Sequence, residues 1–66
     1  MLSQEIGETA GRIWHTLDEE GQLRLATLEK QLGVSQAMVL LALGWLARED
    51  KAVVEPYGRT FRVRLK

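Results

Sequence analysis

Apolar residues recur in the first part of the chain at Leu2, Ile6, Ala10, Ile13 and Leu17. That three-and-four spacing is one buried face of a helix. Ser3 is placed to cap it, and Glu5 falls in the first turn, where the helix dipole favours a carboxylate. Glu8 and Arg12 stand four apart on the other side, in the better order for an ion pair. Gly21 marks the end. The run Asp18, Glu19, Glu20 just before it opposes the dipole and reads as a solvated face. Beyond the glycine the period changes to two. Leu23 and Leu25 alternate in "QLRLA", which predicts a brief strand. Thr27 is the expected cap of a short helix, "LEKQL", with Gly33 as its C-terminal cap.

Ser35 then caps a third helix, "SQAMVLLALGWLARED". The last segment reads as a hairpin: "VVE", a turn "PYGR", and "TFRVRLK". In its second strand Phe61, Val63 and Leu65 face one way, and Thr60, Arg62, Arg64 and Lys66 face the other. The predicted order is helix, short strand, helix, turn, helix, two-stranded wing. It gives one α+β domain over residues 1–66, with a winged helix-turn-helix arrangement and no repeat, linker or low-complexity segment.

The third helix would normally read the DNA major groove. Between Ala37 and Ala47, however, it carries no charge and no side-chain donor except the Trp45 indole. Base discrimination relies mainly on Arg or Lys to guanine and Asn or Gln to adenine. Only Gln36 qualifies near the helix start, and the chain has no Asn. Winding at 100° per residue puts Val39, Ala42, Leu43 and Leu46 on one side, the expected core face. Ala37, Leu41, Gly44 and Arg48 lie opposite, flanked by Leu40, Trp45 and Ala47. A helix that is apolar all round is normally covered all round, and a second copy of the chain is the commonest cover. Gly44 costs about 1 kcal/mol relative to Ala in mid-helix, which a close approach by another backbone or ring would offset. Gly7 and Gly11 repeat the pattern beside Trp14, whose indole is expected to lean toward Gly11. The protein-interface candidates are therefore Ala37, Leu40, Leu41, Gly44, Trp45 and Arg48, with a homodimer as the expected assembly.

The case for nucleic acid rests on charge placement. The net charge is zero, yet residues 1–47 carry three basic and six acidic side chains, and residues 48–66 six basic and three acidic. Arg62, Arg64 and Lys66 form one stripe of the wing, and Arg59 sits at its tip. Such a stripe can lie along a phosphate backbone and give weak, salt-dependent affinity without sequence information. Alternating Arg also serves simply to solvate an edge strand. Gln36, Arg59, Arg62, Arg64 and Lys66 are the nucleic-acid candidates.

Three segments also carry a family resemblance. "IGETAGRIWHTL", "TLEKQLGVS" and "LALGWLAREDK" resemble a family of small bacterial winged helix-turn-helix proteins common in Bacteroidetes. The likeness spans nearly the whole chain and is most specific in "IGETAGxIW" and "LALGWLARE". It implies the winged-helix fold and a nucleic-acid-binding ancestry, and it implies no substrate, cofactor or catalytic residue.

Little here suits catalysis. His15 is the only histidine and there is no cysteine. Ser3 and Ser35 are accounted for as caps. His15 with Glu19, four residues on, falls short of the three or four convergent ligands of a zinc site. The six glycines are scattered, with no phosphate loop. No enzyme, metal or cofactor is expected. The longest apolar run, 11 residues, is about half a bilayer span, so no membrane is expected either. The absence of cysteine and of a charged-then-apolar leader points to the cytoplasm.

Overall fold

The computed structural model describes residues 2–66. Its elements are α1 (Leu2–Glu20), β1 (Leu23–Arg24), α2 (Leu25–Leu32), α3 (Gln36–Arg48), β2 (Ala52–Tyr57) and β3 (Thr60–Leu65). The strands form one antiparallel sheet in the order β1-β3-β2. β1 aligns Leu23 with Val63 and Arg24 with Arg62. β2 aligns Val54 with Val63 and Glu55 with Arg62. This is the expected winged helix-turn-helix architecture, with the brief first strand joined to the wing as a third member of its sheet.

α1 forms because its apolar stripe can be packed. Ala10, Ile13 and Leu17 are buried with Thr9. Burial fades toward the N-terminus, and Leu2 is 63% exposed, so it does not join the core as its spacing suggests. The helix already includes Leu2, which leaves Ser3 inside the first turn rather than at the cap. A helix anchored by packing further along propagates outward cheaply and does not depend on a cap there. Arg12 also departs from expectation. It does not pair with Glu8, which accepts from Gln4 instead. Arg12 donates to the Leu32 carbonyl at 2.9 Å. That carbonyl lies at the C-terminal end of α2, where a cation is favoured.

The "QLRLA" segment resolves differently from its alternation. Only Leu23 and Arg24 are strand, and Leu25 opens α2. Leu25, Leu28 and Leu32 are all buried on one helical face. That packing outweighs the two-residue period, and it places Thr27 within the helix instead of at its cap. Arg24 occupies the N-cap position and makes no side-chain cap bond. Gly33 ends α2 in the left-handed conformation at φ 67°, as expected. Ser35 caps α3, its hydroxyl accepting from the Met38 amide at 3.2 Å.

The hairpin turn is tighter than "PYGR". β2 continues through Pro56 and Tyr57, leaving a two-residue turn of Gly58 and Arg59. Gly58 has φ 63°, at the turn position where a tight hairpin takes glycine. Pro56 is tolerated because β2 is an edge strand. The core gathers α1, α2, α3 and the sheet: Ile13, Leu28, Val39 and Val63 are fully enclosed. Each such burial is worth roughly 1.5–3 kcal/mol. Val63 and Leu65 face this core as expected, but Phe61, near the tip, stays 41% exposed. No buried side-chain nitrogen or oxygen among the described residues lacks a hydrogen-bond partner.

The two cap assignments can be separated by stability measurements. Ser35→Ala should cost about 1 kcal/mol in urea unfolding. Thr27→Ala should be neutral or slightly stabilising, since alanine is the better helix former inside a helix. A comparable loss from both would place Thr27 back at a cap.

Candidate functional site

α3 divides as its helical wheel predicts. Val39, Ala42, Leu43 and Leu46 are buried. Ala37, Gly44 and Arg48 are exposed, and so are Leu40 (41%), Leu41 (49%) and Trp45 (44%). The six interface candidates therefore share one continuous outer face. Gly44 is not held against any neighbour in its own chain: a Cβ there would meet nothing within 4 Å. The same holds at Gly7 and Gly11, so the Trp14 indole does not cover Gly11 as expected. Trp14 is half-buried against the core instead. Its ring meets His15 edge-on, with centroids 5.4 Å apart.

Beside Trp45 the outer face continues into a groove between α1 and α3, with a volume of roughly 470 Å3. Gly7 and Gly11 lie along one side, Trp14 and Trp45 supply indole surface, and Glu49 and Lys51 line it together with His15. The Lys51 ammonium lies 3.6 Å from the Glu49 carboxylate. The pattern of α3 alone foretold the exposed leucines; the groove was not foreseen, because it needs the α1–α3 packing to exist. Among the described residues no cluster of histidine and carboxylates could hold a metal ion. No helix of those residues is long and apolar enough to cross a membrane.

The nucleic-acid candidates are placed less favourably for phosphate. Arg62 and Arg64 do share the outer sheet face, but each donates to Glu55, at 3.1 and 3.3 Å. Lys66 is paired with Asp50. Among the described residues only Arg59, at the turn, has no ion-pair partner in this group. Gln36 directs its amide to the Glu29 carboxylate in a long contact of 3.4 Å. The sequence reading missed Glu55. The cross-strand register, once anchored on the Gly58–Arg59 turn, places Glu55 directly opposite Arg62. It also missed Arg24 and Tyr57 on the same face. The guanidinium carbons of Arg24 and Arg62 lie 5.3 and 5.4 Å from the Tyr57 ring centre, within cation–π range.

The model for a family described as a winged helix-turn-helix domain (DUF2582) matches residues 1–65. The uncharacterized protein MJ1608 of the archaeon Methanocaldococcus jannaschii is 45% identical over 65 residues, covering 94% of this chain and 91% of that protein. The solution NMR structure of protein BT2368 from Bacteroides thetaiotaomicron superposes with a TM-score of 0.84 at 32% identity, covering 98% of this chain and 79% of that one. The chain belongs to this winged helix-turn-helix family. The archaeal relative extends the likeness beyond the bacterial proteins that its motifs resemble.

The Glu55 cluster has a measurable signature. Hydrogen bonds from Arg62 and then Arg64 hold its carboxyl below the ordinary value of 4.5. The folded state thus favours the carboxylate. Its contribution to stability is present above the ordinary glutamate range and fades as pH falls through the lowered value. An NMR titration should give Glu55 a midpoint under 4.5, moving upward in the Arg62→Ala, Arg64→Ala variant. A wild-type midpoint at or above 4.5 would mean that the cluster does not form in solution.

Proposed function

We propose that this winged helix-turn-helix domain is a non-enzymatic contact module that pairs with a second copy of itself through the outer face of α3. One observation carries the reading: Leu40, Leu41 and Trp45 stand exposed on a helix whose opposite side is already fully packed. On so small a domain a contiguous apolar patch of this kind marks an interaction site more often than idle surface. A second copy is the commonest partner for such a face.

DNA reading through the same helix is the weaker account. Near the start of α3 the one residue able to discriminate a base, Gln36, is turned toward Glu29. The wing's Arg62, Arg64 and Lys66 would have to exchange protein carboxylates for phosphates. Each exchange gives up an existing charge-assisted bond, so the net gain per phosphate contact is small.

The test is the oligomeric state across concentration, with and without duplex DNA at low salt. The expected dissociation constant is on the order of tens of micromolar, corresponding to about −6 to −7 kcal/mol. Leu41→Glu should dissociate the pair and leave a largely helical monomer, because the introduced charge meets water there. A wild-type chain that stays monomeric at millimolar concentration would sink the reading. So would a preference for one duplex sequence by about a thousandfold, the lower end for specific binders.

A further inference from the structure

The exposed part of Leu40, Leu41 and Trp45 amounts to roughly 300 Å2, the lower end for the largest patch of a monomer, which is often a functional one. A stable interface takes about 800 Å2 from each partner. Contact confined to these three side chains falls short of that, so a second copy has to spread onto adjoining surface. On the Trp45 side that surface is the α1–α3 groove.

Arg48 is the one charged residue on the outer stripe. It is exposed. Among the described residues it has neither a side-chain hydrogen bond nor an ion pair within its chain. A guanidinium carried into an interface needs an anion and a surface to stack on. The groove supplies both. Glu49 lines it, and its nearest cation, Lys51, stands 3.6 Å away, beyond hydrogen-bond length. The carboxylate therefore keeps its acceptor capacity. Trp14 and Trp45 give indole surface, the best ring for a cation. A planar, weakly hydrated guanidinium suits such a slot better than an ammonium.

We propose that in the dimer each chain's Arg48 enters the partner's α1–α3 groove, where it lies against the indoles of Trp14 and Trp45 and pairs with Glu49. This inference rests on the self-association proposed above. A two-fold pair makes the contact twice, so both grooves fill at once. It also brings the open space over Gly7 and Gly11 into the interface.

The experiment is a charge exchange read by sedimentation equilibrium, with circular dichroism to verify the fold. Arg48 and Glu49 are both exposed, so the variants should fold. Arg48→Glu and Glu49→Arg should each weaken the dimer at least tenfold, and the double exchange should return it to within about threefold of wild type. Arg48→Lys should weaken it less than Arg48→Glu. Gly11 is exposed and a Cβ there meets nothing within 4 Å, so the Gly11→Leu side chain starts into open space. It should fold and still lose dimer, because the groove is then occupied. A wild-type dimer that Leu41→Glu breaks, but that neither charge reversal affects, would overturn the groove contact and leave the α3 interface standing. Two damaging reversals without recovery in the double exchange would overturn the pairing. A wild-type monomer would remove both proposals together.

Discussion

The structure turns on how α3 is covered. This helix is apolar on nearly every side, and the chain has material for only one of them. Ala10, Ile13 and Leu17 of α1, Leu25, Leu28 and Leu32 of α2, and Ala52 and Val63 of the sheet form one cluster with Val39, Ala42, Leu43 and Leu46. Everything that can pack lies on that side. Leu41, Gly44 and Trp45 are left facing outward. A 66-residue chain buries a smaller share of its surface than a larger domain does and is correspondingly marginal. Closing the second face with another copy would add burial that no rearrangement within one chain can provide.

The same constraint bears on the electrostatics. Apart from Gln36 and Arg48 at its two ends, α3 has no side chain of the types that discriminate bases. Several polar groups on and around it are engaged with one another: Gln36 with Glu29, Arg62 and Arg64 with Glu55, Lys66 with Asp50. The wing's arginine stripe is therefore a partly neutralised ion cluster, with the guanidinium groups of Arg24 and Arg62 both near the Tyr57 ring. Surface pairs of this kind contribute little to stability. Their consequence here is that fewer of the wing's basic groups are free to meet phosphate than the stripe suggests.

Much of this was legible in the residues. The 3.6-residue period of α1 and α3, the Ser35 cap, the Gly33 stop and the alternation of the last strand each have a local physical cause, and each is found in place. The departures have physical causes too. Leu25 alternates with Leu23, but its helical spacing to Leu28 and Leu32 decides where it packs. Ser3 and Thr27 are residue types suited to caps, but the helices begin before them. Arg12 finds the Leu32 carbonyl, a partner 20 residues away that no spacing rule proposes. The outer face of α3 could be read from its own wheel. The groove beside it, and the partnering of Glu55 with two arginines, depend on which elements lie side by side and on strand register, which local pattern does not specify.

The central claim is that the outer face of α3 meets a second copy of the chain. Its most direct test is an isotope-filtered NMR experiment on a mixture of labelled and unlabelled protein, which detects only contacts between different molecules. The account predicts intermolecular contacts at the Leu41 methyl groups and the Trp45 indole, absent from the wing residues Arg59 and Arg62. Intermolecular contacts confined to the wing, or none at millimolar concentration, would contradict it.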